Sequence, residues 1–168
     1  MTQPLKIDLF SDPACPWCLL GLTRLDNALG RLSADVKADV EHHPFLLDAN
    51  APEEGEDVRE MLMRKYGRPP DETWDRLEAE ALRSGLELDM RKQKWRYATQ
   101  GAQMLIRAAR EKGAQHEVAV AMSHAYYLDA RNIADRAVLI EIATANGFTA
   151  TGSFVTNIVM PASFAARA

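Results

Sequence analysis

Two cysteines in 168 residues are too few to staple a fold. That scarcity excludes a disulfide-dense scaffold, and a chain of this length buries roughly two-thirds of the surface its unfolded form exposes, so it can hold a core without staples or a structural metal. A basic excess is also missing: 20 Lys and Arg stand against 24 Asp and Glu, a net charge of −4 with a pI near 5.6. With no basic field for a phosphate backbone, nucleic acid is not an expected partner. No continuously apolar, uncharged run reaches the roughly 18 residues of a membrane span, and Met1-Thr2-Gln3-Pro4 lacks the basic start of a secretion signal. A soluble, cytoplasmic protein without a membrane partner is expected. In that reducing compartment a close cysteine pair points to catalysis or metal binding rather than to a permanent bridge. The residues present, 47% hydrophobic and 26% charged, are those of one globular domain with room for an insertion.

The chain begins with strand periodicity. Leu5, Ile7 and Leu9 alternate with Lys6 and Asp8, and Phe10 closes the run before the turn Ser11-Asp12-Pro13. Pro16 suits the first position of a helix, and Leu19, Leu22, Leu25 and Leu29 continue at helical spacing to Gly30. Val36, Ala38 and Val40 then predict a second strand ending near Pro44. After Asp48 the pattern becomes helical. Val58, Met61 and Leu62 share a face; Asp71 is placed to cap a helix carrying Trp74, Leu77 and Ala81; Leu86, Leu88 and Met90 read as a brief extended piece. Thr99 and Asp135 open further helices, with another around Val118, Met122 and Ala125. The fold class expected is α/β, divided into a β-α-β half over 1–47, an inserted helical domain over 48–148 and a tail over 149–168.

The informative constellation is Cys15-Pro16-Trp17-Cys18, at the N-terminus of the first helix. There, unpaired backbone N–H groups and the positive end of the helix dipole favour a thiolate, so the Cys15 thiol is expected below its ordinary pKa and in the role of nucleophile. Cys18 lies on the same helical face, within the roughly 4.4 to 6.8 Å Cα separation that a disulfide needs, and would be the resolving thiol. Pro16 and Trp17 between them carry no positive charge, which predicts a milder oxidant than a pair flanking a histidine. Asp12 and Pro13 support the site as turn and cap residues. A zinc site would need two further ligands; there is no third cysteine, and His42, His43, His116 and His124 have no His-x-x-x-His spacing, so no metal is expected. His42 and His43 point to opposite faces of a strand, while His116 and His124 read as helix-surface residues.

The stretch Ile7-Asp8-Leu9-Phe10-Ser11-Asp12, followed by Cys15-Pro16-Trp17-Cys18 and Gly21, resembles the opening of the DsbA-like thioredoxin-fold family, and specifically its cytoplasmic FrnE-type branch. His43-Pro44-Phe45-Leu46-Leu47, Pro52-Glu53-Glu54-Gly55, Met63-Arg64-Lys65-Tyr66-Gly67 and Ile133-Ala134-Asp135 are similar to later landmarks of that branch. The resemblance covers residues 5 to 148. It implies a thioredoxin-like fold with a large helical insertion, and thiol–disulfide oxidoreductase activity on proteins or small thiols. It requires no cofactor, with glutathione a candidate redox partner. Isomerases and kappa-class glutathione transferases of the same superfamily place a serine where Cys15 stands.

The tail departs from this pattern. From Thr149 to Ala168 the only charged residue is Arg167, and Pro161 is the only proline after Pro70, too early for the family's cis-proline. The family's C-terminal β-hairpin and helix are therefore expected to be lacking, as a truncated or frame-shifted reading would leave them. A strand over 153–160 before Pro161 is one substitute, and a homo-oligomer in which a second copy supplies the missing sheet edge is another. Function divides accordingly. The main reading is a redox enzyme; the alternatives are a poorly active remnant with a binding role and a glutathione-dependent isomerase or transferase.

Overall fold

The computed structural model describes residues 4–149. The alternating segment forms strand β1 (Leu5–Ser11), Pro16 opens helix α1 (Pro16–Leu29), and strand β2 (Ala38–Pro44) pairs parallel to β1, with Leu5 opposite Ala38 and Leu9 opposite His42. Parallel strands need a crossover, and α1 supplies it. Glu56–Asp57 (β3) and Trp95–Arg96 (β4) form a small antiparallel pair around helices α2 (Val58–Tyr66) and α3 (Asp71–Arg83). Helices α4 (Gln100–Ala109), α5 (Gln115–Tyr127) and α6 (Arg136–Ala145) follow, in keeping with the α/β class. The expectations for the tail, including the lacking hairpin and helix, fall on residues 150–168, outside those described.

One apolar cluster joins these parts. Leu19 and Leu20 of α1 pack with Trp74 and Leu77 of α3, Leu105 of α4, Val118 and Met122 of α5 and Leu139 of α6. Helix α1 is thus seated on the helical region by side chains that are almost wholly buried, each contributing roughly 1.5–3 kcal/mol of transfer free energy. Helices α4 and α5 pack directly on β2. Gly67 ends α2 in the left-handed region at φ 68°, a conformation that a residue without Cβ adopts freely.

Three expectations are corrected. Asp71 is the first helical residue of α3 rather than its cap, and its carboxylate is engaged by Arg59. Leu86, Leu88 and Met90 are buried but form no strand, because the Met90 amide donates to Glu78 and the Leu86 amide to the Ala81 carbonyl. His116 is not a free surface residue. Its Nε2 lies 2.6 Å from the Asp26 carboxylate on α1, and its Nδ1 lies 2.8 Å from Nε2 of His42, which is buried on β2. His43, on the opposite face as expected, meets Asp8 at 2.9 Å and stacks on Phe10.

The Asp26–His116–His42 chain makes stability depend on pH. Burial first, and the neighbouring His116 second, lower the His42 pKa from 6.5 to about 4. A base whose folded pKa is depressed favours the folded state while neutral, so this contribution is complete above pH 6.5 and is lost as pH falls toward 4. Unfolding free energy measured in urea should drop by up to about 3 kcal/mol across that window, and His42→Gln should flatten the slope. An unchanged slope in the variant would contradict the assignment.

Candidate active site

The end of β1 runs into a turn that is fixed from several directions. The Cys15 amide donates to the Asp12 carbonyl at 2.9 Å. Asp12, 2% exposed, accepts through one carboxylate oxygen from the Ala14 amide at 2.9 Å, and through the other from the Leu47 amide at 2.9 Å and the Thr99 hydroxyl at 3.2 Å. Burial raises its pKa, and these three donors pull it part of the way back. On the other side of the same peptide, the hydroxyl of Tyr127 donates to the Ala14 carbonyl at 2.6 Å. The peptide before Cys15 is therefore held at both its N–H and C=O ends by buried groups. Gln103 adds a bond to the Ser11 carbonyl at 2.7 Å.

This turn delivers Cys15 as the N-cap of α1, with extended backbone dihedrals and Pro16 just inside the helix. Its Sγ accepts the Cys18 amide at 3.4 Å. The two cysteines are unbridged and half-buried. They titrate as a pair: the sulfur–sulfur hydrogen bond pulls Cys18 down to about 7, against the opposing effect of burial, and pushes Cys15 up once its neighbour is charged. The lowering expected at Cys15 falls on Cys18 instead, because the thiol–thiol hydrogen bond holds the proton on Cys15. Backbone N–H groups of both Trp17 and Cys18 lower the Cys15 thiol, whereas Cys18 has that of Asp12 only. The N-cap sulfur is the better supplied with donors for the thiolate.

Of the supporting residues, Pro13 is buried within the turn, Pro16 is half-buried, and Trp17 is 42% exposed with the Arg76 guanidinium 5.6 Å above its ring. Sequence reading missed Thr99 as a partner of Asp12, and missed Tyr127 and Gln103 altogether. Beside Cys15 opens a cavity of about 430 Å³, bounded by the turn, α2, α3 and β4. The cysteines take no part in the one grouping of potential metal donors among the described residues, Asp8, Glu41 and His43, which Lys6 also approaches.

The DSBA-like thioredoxin domain matches residues 6–158. The chain belongs to this family of thiol–disulfide oxidoreductases. The match extends beyond residue 148, where the similarity legible in the sequence stops. A probable DsbA oxidoreductase from Streptomyces coelicolor is 28% identical and superposes with a TM-score of 0.81 over 96% of this chain and 70% of its own. The cytosolic disulfide reductase DsbM from Pseudomonas aeruginosa, solved with GSH, shares the fold at 17% identity and a TM-score of 0.63, over 92% of this chain and 70% of its own. A second structure of the same reductase aligns at 20% identity and a TM-score of 0.60, over 92% of this chain and 69% of its own. No curated protein gives a significant match.

Asp12→Asn puts an N–H₂ group where an acceptor oxygen stood, facing a backbone N–H or the Thr99 hydroxyl. Unfolding free energy should fall by roughly 1–3 kcal/mol in a denaturant titration. A variant as stable as the parent would show that the carboxylate does not fix the turn.

Proposed function

We propose that the protein is a thiol–disulfide oxidoreductase in which Cys15 is the nucleophile and Cys18 the resolving thiol. The observation that carries this reading is the Cys15 sulfur at the α1 N-cap, accepting the Cys18 amide with the second thiol one helical turn away. Attack of the Cys15 thiolate on a substrate disulfide forms a mixed disulfide and expels one substrate thiolate. The Cys18 thiolate then attacks the Cys15 sulfur, releasing the second substrate thiolate. Two electrons pass to the substrate and leave a Cys15–Cys18 disulfide. Run in reverse, the same steps oxidise a substrate dithiol.

Pro16 and Trp17 supply no positive charge beside the thiolate, so the poise is that of a mild oxidant rather than a strong one. Asp12 and Pro13 shape the turn. The partners are thiols and disulfides, glutathione among them, as the GSH-bound relative suggests. The FrnE-type branch and a cytoplasmic location complete the reading; among the described residues no helix is long and apolar enough to cross a membrane.

Replacing the resolving thiol tests the mechanism. Cys18→Ala should accumulate thiol-sensitive adducts on Cys15, seen by intact mass after exposure to oxidised glutathione, while Cys15→Ala should accumulate at least tenfold less. Undiminished turnover in Cys18→Ala would favour the isomerase or transferase reading, and adducts in neither variant would favour a binding remnant. Alkylation of the pair by iodoacetamide should rise to half its maximum near pH 7, the value to which Cys18 is lowered; a midpoint at the ordinary thiol value would contradict the shared proton.

A further inference from the structure

The cavity beside Cys15 has a chemistry of its own. Trp17, Tyr66, Trp74, Tyr97, Tyr126 and Tyr127 all line it, an aromatic wall suited to a flat unsaturated group, with the Arg76 guanidinium over the Trp17 ring and those of Arg59 and Arg91 over Trp74. Its volume of about 430 Å³ is that of a small-molecule site. The charged groups around it are unbalanced. Lys65 and Arg68 line it from the end of α2 and the loop that follows, both are exposed, and among the described residues neither forms an ion pair; the Lys65 ammonium sits over the Tyr66 ring. Nearby Arg59 and Arg91, by contrast, are engaged by Asp71 and Asp75. The acidic lining groups are also engaged, Asp12 by its three donors and Asp48 by Arg96, with Lys65 adding only a longer-range attraction to Asp48. Arg96, itself part of the wall, keeps its Nε buried and, among the described residues, without a partner.

Resting on the redox reading of Cys15, we propose that this cavity receives a small-molecule disulfide bearing an aromatic ring and a carboxylate. The ring lies against the aromatic walls and the carboxylate meets Lys65 and Arg68. One sulfur of the ligand is then presented to Cys15 at the cavity edge. The Cys15 thiolate forms a bond to that sulfur as the ligand's S–S bond breaks, and the other half departs as a thiolate. Cys18 completes the two-electron reduction by attacking Cys15, and the ring-bearing half leaves as the second thiolate. Solvent protonates the thiolates. The dithiol of the reduced protein is the sole reductant in a single turnover.

The double variant Cys15→Ala/Cys18→Ala separates binding from chemistry, because the chain then has no thiol. The probe is 5,5′-dithiobis(2-nitrobenzoate), with 4,4′-dithiodipyridine as its uncharged aromatic comparison. Calorimetry on the thiol-free protein should show saturable binding of the nitrobenzoate probe. Adding Lys65→Ala/Arg68→Ala should weaken it about tenfold, whereas Arg31→Ala/Lys37→Ala, which removes equal charge beyond the far end of α1, should weaken it less than twofold. In the reduced protein carrying both cysteines, the kinetic preference for the nitrobenzoate over the pyridine probe should fall by the same factor with Lys65→Ala/Arg68→Ala. No saturable binding, or equal losses from the two charge-removing pairs, overturns the proposal. Saturable, Lys65- and Arg68-dependent binding without formation of a Cys15–Cys18 disulfide supports the carboxylate site and overturns the redox reading instead.

Discussion

A buried carboxylate holds this molecule's chemistry in place. Asp12 draws together the end of β1, the segment after β2 and the start of α4 by accepting from Ala14, Leu47 and Thr99. Burying such a group is costly unless its oxygens are engaged, and here three donors engage them. The arrangement is consequently intolerant of movement: displacing any of the three segments would leave a desolvated acceptor short of a partner. Tyr127 closes the frame from α5 through the Ala14 carbonyl, and its own burial keeps the hydroxyl protonated as a donor. What this frame fixes is the direction in which Cys15 enters the helix.

That direction determines the rest. A sulfur at the N-cap faces the unpaired amides of the first helical turn, where negative charge is stabilised. The second cysteine, three residues later, shares the proton. The hydrogen bond between the two thiols, working against burial, leaves the pair able to ionise near neutrality. The cavity opens from the same turn, with its outer wall supplied by α2 and α3. The thiol pair thus comes from the β-α-β unit, and the walls of the cavity beside it come largely from the helices packed on it.

The sequence was most readable where the physics is local. Strand alternation at Leu5–Phe10, the Pro16 helix start and the Asp135 cap are short-range signals, and the structure has each of them. The cysteine spacing and its position at a helix start were equally visible. The frame around the turn was not, because its contacts join residues 35, 87 and 113 positions apart. Nothing near Tyr127 distinguishes a tyrosine that holds the redox turn from one that fills a core. His116 was misread for the same reason: its partners Asp26 and His42 lie on other elements. The two-residue pairing of β3 with β4 is too short to leave a periodic pattern, and Leu86 to Met90 show alternation without a neighbouring strand to pair with.

The most direct test of this account is the redox equilibrium of the protein in glutathione buffers of graded potential, followed by tryptophan fluorescence with the Cys15–Cys18 disulfide quantified by mass. A single reversible two-electron transition that vanishes in Cys15→Ala is expected. A protein whose cysteines stay reduced throughout, or become glutathionylated without forming the internal disulfide, would contradict it.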